Sequence, residues 1–296
     1  MKVFEFDKVS RGYGAGDVLS RISFGVDRGE VIGLLGRNGA GKTTLIHLVM
    51  GMLAPREGEV KVFGLDPRRE AVEVKRRIGY VAEDQELPDF LKVREVIAMY
   101  RQLFEGWDDS MARDLINRFE LPPDRKIKDL SRGQARQVAL LCAVSHRPEL
   151  LILDEPAGGL DPAARRQFLE TSIRLLNETG TTILFSSHHM GDVERMASRL
   201  IMIHDHQKWI DSDLDAIREG FSLALVPADA GVDGERLLSL PSCLCARRHG
   251  DLFHAVYELD PDTCCKSLRK ELAVETIQCR SLGLEEMFIE LAGRES

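Results

Sequence analysis

Nine residues, Gly36-Arg37-Asn38-Gly39-Ala40-Gly41-Lys42-Thr43-Thr44, limit what this chain can fold into. The apolar run Val31 to Leu35 precedes them and reads as a buried strand. Leu45-Ile46-His47-Leu48-Val49-Met50 follows and reads as the start of a buried helix, ended by Gly51. Strand, glycine-rich turn, Lys-Thr and helix are the parts of a phosphate-binding P-loop. The glycines let backbone N–H groups curl around an anion where a Cβ would clash. The helix start adds about half a positive charge aimed at the same place. Lys42 is placed to reach β- and γ-phosphates, and the Thr43 hydroxyl suits Mg²⁺. A glycine turn with a chance lysine would not need these flanks.

The 296 residues permit one large domain, or a domain of usual size plus a smaller one. With 44% apolar residues there is enough for a real core. No run of about 18 apolar residues occurs, so nothing in the sequence reads as a membrane span. Met1-Lys2-Val3-Phe4-Glu5 lacks an apolar signal region, which makes the cytoplasm the expected location. The net charge of −8 disfavours broad nucleic-acid binding. Six cysteines suit a reducing compartment better than a disulfide framework.

Val3 to Phe6 and Ile22 to Val26 alternate apolar and polar and read as strands, with Arg11-Gly12-Tyr13-Gly14 as a turn between them. An aromatic there either stacks on a base or is an ordinary turn tyrosine. Glu59 to Phe63 and Arg77 to Val81 read as further strands. Arg68-Arg69 and Lys75-Arg76-Arg77, mixed with Glu70 and Glu73, read as a solvated helix face. From Val93 to about Glu120 the apolar spacing is helical, broken at Gly106-Trp107-Asp108-Asp109, which predicts an inserted helical subdomain. Ser131, in Leu130-Ser131-Arg132-Gly133-Gln134, sits where an N-cap belongs, and a serine, a glycine and a helix start make a second anion site.

Leu150-Leu151-Ile152-Leu153 reads as a strand buried on both faces, with Asp154 and Glu155 at its C-terminal end, where ligands sit in open parallel sheets. Asp154 is placed to bind Mg²⁺, directly or through water, and Glu155 to polarise a water. Asp161 can cap the next helix, with Pro162 at its first position. Thr182 to Ser187 is another buried strand, with His188 at its end and His189 beside it as a decoy. His204 and His206 have no third ligand spaced nearby and read as surface residues.

Together these motifs resemble those of ATP-binding cassette (ABC) transporter nucleotide-binding subunits over about residues 1–218. The P-loop is Gly36 to Thr43, the signature motif Leu130 to Gln134, the Walker B strand Leu150 to Asp154, and the D-loop Gly159-Leu160-Asp161. The resemblance makes Glu155 the catalytic glutamate, His188 the switch histidine and Tyr13 the adenine-stacking aromatic. It implies an α/β fold: a P-loop NTPase core of mixed sheet and helices, an antiparallel β subdomain and a helical subdomain at about 90–145. It implies ATP and Mg²⁺ as the bound species. Tyr13, Gly36, Arg37, Asn38, Gly39, Ala40, Gly41, Lys42, Thr43, Thr44 and Glu83 are then the nucleotide's contacts, with Ser131, Arg132, Gly133, Gln134 and Asp161. Thr43, Glu83 and Asp154 become the Mg²⁺ residues, and Glu155, His188 and Lys42 the catalytic ones.

Two positions depart from the common pattern. Glu83 stands where the family's lid glutamine is usual, and Gln85 substitutes for it only if the loop shifts. Arg132 stands where glycine is usual. Both departures resemble some bacterial export-type cassettes. The resemblance implies a second cassette as partner (the same chain or a different one) and head-to-tail closure on ATP. It also implies a separately encoded polytopic membrane permease, a peripheral place on the inner face of the cell membrane, and no nucleic acid. Leu87, Pro88, Phe90 and Leu91 either meet the permease or pack under the helical subdomain. The rival is a soluble cassette ATPase acting on ribosomes or DNA. A P-loop kinase or GTPase would have no use for the signature motif.

Residues 219–296 read as a small α/β accessory domain, dimerising or regulatory: strands at Phe221–Val226 and Phe253–Leu259, and helices at Thr263–Leu272 and Leu284–Leu291. Met287, Phe288 and Leu291 form an apolar stripe that suits dimerisation. Cys243, Cys245, Cys264, Cys265 and Cys279 lie here with His249 and His254 near, but their spacing fits no zinc pattern.

Overall fold

The structure is a computed structural model that describes residues 2–14, 16–156, 158 and 160–292. It divides into two compact units, Met1–Asp211 and Ser212–Ser296, a break seven residues ahead of the boundary read after Arg218. In the first unit the elements run β1 (Lys2–Tyr13), β2 (Gly16–Asp27), β3 (Val31–Leu35), α1 (Lys42–Val49), β4 (Glu57–Val62), α2 (Ala71–Arg76) and β5 (Ile78–Val81). They continue as α3 (Val93–Leu103), α4 (Asp109–Arg118), α5 (Arg132–Val144), β6 (Leu150–Leu153), α6 (Pro162–Thr179), β7 (Thr182–Ser187), α7 (Met190–Met196), β8 (Arg199–His204) and β9 (Gln207–Asp213).

The main sheet has the order β5-β6-β7-β3-β8-β9. Its pairings from β5 to β8 are all parallel. β6 and β7 are buried at every position, as strands covered on both faces must be. Because these strands run one way, the loops after β3, β6 and β7 emerge at one edge, the usual place for a ligand.

A second, antiparallel sheet has the order β2-β1-β4. Residues of both sheets share one buried cluster with Leu45, Ile46, Leu48 and Val49, so α1 is gripped by both sheets and the loop before it is anchored.

The expected turn at Arg11–Gly14 is corrected: Arg11, Gly12 and Tyr13 pair with Leu19, Asp17 and Gly16 as a continuation of the hairpin. Register shifts after Phe6, Val9 and Arg11 break the period-two pattern that marks a strand in sequence. Arg77 is also not on a solvated face. Its guanidinium lies 3.9 Å over the Phe63 ring and pairs with Glu149.

In the helical insert, Asp108 caps α4 by accepting from the N–H groups of Ser110 and Met111. Ser131 caps α5, and its side chain and that of Gln134 exchange the two bonds of a capping box. Leu87 is buried whereas Phe90 is 67% exposed, so the two expectations for that loop divide between its residues. His204 is corrected from surface to half-buried, edge-on to Trp209 with centroids 4.3 Å apart. His206 is exposed as expected.

The second unit holds α8 (Leu214–Gly220), β10 (Ser222–Pro227), α9 (Gly234–Leu238), β11 (Cys243–His249), β12 (Leu252–Tyr257), α10 (Pro261–Leu272), β13 (Gln278–Ser281) and α11 (Leu284–Ala292). Its sheet is antiparallel in the order β11-β12-β10-β13. It has its own core, including Val226, Leu237, Tyr257 and Leu268. Met287 and Leu291 are fully buried in α11, which packs on β11 and β12. Two of the three residues of the stripe expected to serve dimerisation are thus used inside the unit, and Phe288 is half-buried. The cysteines are free thiols, and burial pushes Cys245 up to about 11.

Candidate active site

The loop from β3 to α1 wraps a cleft of about 390 Å³. Gly39 and Gly41 have φ of 82° and 103°, where a side chain would be strained. At Gly41 a Cβ would also come within 2.8 Å of Leu19. At Gly36 it would come within 2.7 Å of the Ile203 carbonyl oxygen, so the loop must lie close against β8. The cleft is lined by Tyr13, Arg37, Asn38, Gly39, Gly41, Lys42, Thr43, Thr44, Glu83 and Glu155, and by Val18 from β2.

Lys42 is only 7% exposed. Its Nζ donates to the carbonyls of Gly36 at 2.8 Å and Arg37 at 3.4 Å. It also lies 3.3 Å from Glu155 Oε1. That oxygen is buried and accepts no hydrogen bond, while Oε2 lies 2.8 Å from His188 Nδ1. Glu155 has φ 44°, a conformation non-glycine residues rarely adopt. Its N–H donates to the Ser186 hydroxyl at 2.7 Å, and that hydroxyl donates to Asp154 Oδ1 at 2.6 Å. Ser186 thus holds both carboxylate residues from the neighbouring strand. Asp154 is 1% exposed, at the end of β6.

Glu83 is exposed at the cleft edge, yet its carboxyl is held above the usual range. Partial burial is the largest cause, followed by repulsion from Glu155 and Asp154. Gln85 takes no part in the cleft: its Oε1 accepts from the Ala82 N–H at 3.3 Å, and its side chain bonds Tyr100. Arg136, one turn into α5, donates to the carbonyls of Ala82, Glu83, Glu155 and Pro156. One guanidinium therefore ties the start of α5 to the loops after β5 and β6.

A family model for the ABC transporter matches residues 19–158. The Nod factor export ATP-binding protein I of Paraburkholderia xenovorans is 33% identical, over 98% of this chain and 97% of its own. The ABC transporter ATP-binding protein YtrB of Bacillus subtilis is 29% identical over 97% of each chain. A solved ATP-binding subunit of an ABC transporter superposes with a TM-score of 0.66 at 29% identity, covering 73% of this chain and 92% of that one. This chain belongs to the ABC transporter ATP-binding family.

It is therefore an ABC ATPase subunit of a transporter. Among the described residues no helix is long and apolar enough to cross a membrane.

Within the cassette, the cleft gathers most of the P-loop residues expected to contact nucleotide, with Tyr13, Glu83 and Glu155. Gly36 is buried, Ala40 packs against the core, and neither lines the cleft. The signature residues do not line it: Ser131 and Arg132 are exposed at the start of α5. Asp161 Oδ1 accepts from the Ala164 N–H at 3.1 Å, in the capping place expected of it. Gly159 of the D-loop lies outside the described residues. His188 reaches Glu155 but does not line the cleft, and the His189 ring is 4.1 Å from its own. Sequence reading missed Val18, Ser186 and Arg136. Ser186 had a signal, as the first of two serines that follow the apolar run of β7, level with Asp154 at the end of β6. Arg136 had only its place one turn past Ser131.

Proposed function

We propose that this cassette powers a separately encoded membrane permease, in the direction of export, by closing with a second cassette around ATP and reopening after hydrolysis. The observation that carries the reading is the buried Lys42–Glu155 pair at 3.3 Å facing the cleft, with Ser131 and Arg132 exposed and off it. A site whose second anion-binding element points to solvent is completed by another subunit. The relatives named for Nod factor export support the direction.

The residues fit a triphosphate and Mg²⁺. The glycine cradle carries no side chains where an anion would approach, and Glu155 Oε1 is a buried acceptor that makes no hydrogen bond and has the Lys42 ammonium 3.3 Å away as its charge partner. Thr43, Glu83 and Asp154 would hold Mg²⁺, which when bound neutralises charge on the transferring phosphoryl group. Lys42 leaves its loop carbonyls for the phosphates. Tyr13, 53% exposed, offers its ring to the base. Glu155 accepts the proton of the attacking water at Oε1, while His188 keeps the carboxylate oriented through Oε2. Ser131 and the Gly133 N–H of the second cassette, with Arg132 and Gln134 beside them, face the γ-phosphate from across the interface, and Asp161 lies beside that joint.

Glu155→Gln tests the assignment. Turnover falls by about 10²–10⁴-fold, the usual worth of a positioned base. ATP affinity by calorimetry does not weaken, because the amide no longer competes with phosphate for Lys42. Unchanged turnover would remove Glu155 from the chemistry. The permease is tested by recovering tagged cassette from solubilised membranes. A polytopic membrane protein that is released by Phe90→Ala supports the reading, and recovery of ribosomes alone transfers it to a soluble cassette.

A further inference from the structure

In the C-terminal unit, two histidines and one glutamate converge far along the chain from the P-loop. His249 ends β11, His254 lies in β12, and Glu290 lies in α11. The imidazole rings stack with centroids 4.3 Å apart, and each faces its own oxygen of one carboxylate. His254 Nδ1 is 2.8 Å from Glu290 Oε1, and His249 Nε2 is 3.5 Å from Oε2. One ligand atom from each residue lies within 4.8 Å of the other two. The Glu290 side chain is 8% exposed, that of His254 23% and that of His249 39%, so the carboxylate lies deep and the rings lead out to water.

We propose that His249, His254 and Glu290 bind a divalent transition-metal ion of the zinc class. Neutral rings can each donate one N–H to a carboxylate oxygen, and the same three atoms are the ones a metal ion takes up when those protons leave. One dication serves the carboxylate and two neutral rings together. Two imidazoles and a carboxylate, with no thiolate among the three, select zinc-like ions over Mg²⁺ or Ca²⁺. A tetrahedral ion with bonds of about 2.0–2.1 Å sets its ligands about 3.3 Å apart. The three side chains approach that spacing by small rotations, chiefly of the more exposed His249. A water is left to complete the shell.

The carboxylate is already aimed. The Cys245 thiol donates to the Glu290 carbonyl at 3.5 Å, and Arg247 donates to the Leu291 carbonyl at 3.2 Å. Both come from β11 and hold the last turns of α11 against the sheet. A bound ion would clamp the final helix to the β11–β12 hairpin. The five cysteines of the unit supply none of these ligand atoms, and this is why a search for cysteine spacing finds no zinc pattern.

The test uses the full-length chain, stripped with chelator, free of nucleotide and in excess Mg²⁺ to saturate the P-loop. Zn²⁺ is titrated by calorimetry and Co²⁺ by visible absorption. One ion per chain is expected, with Co²⁺ d–d bands and no sulfur charge-transfer band. His249→Asn and His254→Asn each weaken binding by about 100-fold or more, at least what an outer-shell partner is worth. His249 is exposed enough that its replacement leaves the fold intact, and circular dichroism checks this for both. No uptake of either ion would overturn the proposal. So would uptake unchanged in both variants, or a charge-transfer band that moves the metal to the thiols.

Discussion

Glu83 stands where its charge opposes the cleft's purpose. Its carboxyl is held above the ordinary value of 4.5 by partial burial and by the Glu155 and Asp154 carboxylates. Folding therefore favours its neutral form. The stabilisation is fully present below that ordinary value and is lost as pH rises through the raised one. Glu83→Gln accordingly raises the thermal midpoint at pH 7.5, and the gap from wild type closes below about pH 4.5. The same variant binds ATP more tightly at neutral pH in the absence of Mg²⁺, since one negative charge leaves the phosphate's surroundings. A gap that does not change with pH would assign the effect to packing. At this scale the sequence was a good guide to charge and a poor one to contact. Lys42, Asp154 and Glu155 were legible because motif spacing carries them. Whether Glu83 or Gln85 faces the cleft was not legible, because it depends on a turn that sends Gln85 to Ala82 and Tyr100.

Among the elements, α5 carries two features of consequence within its first two turns. Ser131 and Gln134 close the capping box and present an exposed N-terminus, while Arg136 reaches back to the carbonyls of residues 82, 83, 155 and 156. Burial lowers the affinity of that guanidinium for its proton, and Asp84, Glu83 and Asp154 oppose the shift. Arg136 is thus a positioning residue, joining the signature helix to the strand end that carries Glu155. Arg136→Met should cut turnover about tenfold, within the 0.5–2 kcal/mol typical of coupling residues, and leave ATP affinity unchanged. Steady-state turnover set beside equilibrium ATP binding checks it, and a parallel loss in both would mean the cleft itself had collapsed. Elements with one clean period were readable: β3, β6, β7, α1 and the α3–α4 pair. β11 and β13 were not, since Arg247-Arg248-His249 and Gln278-Cys279-Arg280-Ser281 are polar strands whose pairing only the neighbouring β12 and β10 supply. The end of β1 failed for a different reason, its register shifts.

For the whole molecule, the proposed closure with a second cassette requires each chain to contribute halves of two sites. The cleft lies at the loop between β3 and α1, and Ser131 and Arg132 are exposed elsewhere on the same unit. Two chains related by a two-fold axis would supply each cleft with the other's Ser131. This makes a complementation test decisive. Lys42→Ala destroys a chain's own cleft, and Ser131→Arg destroys what it offers its partner, so each variant alone has no intact site. Mixed in equal amounts under conditions where wild type turns over, half of the dimers contain one chain of each kind. In each of these, one of the two sites joins the good cleft of the Ser131→Arg chain to the good signature helix of the Lys42→Ala chain. The mixture should then recover about a quarter of wild-type turnover, the product of those two halves. Recovery should rise with total protein concentration, because it requires association. Two dead variants that stay dead when mixed would place Ser131 and Lys42 in the same chain's site, and the head-to-tail arrangement would fall with them.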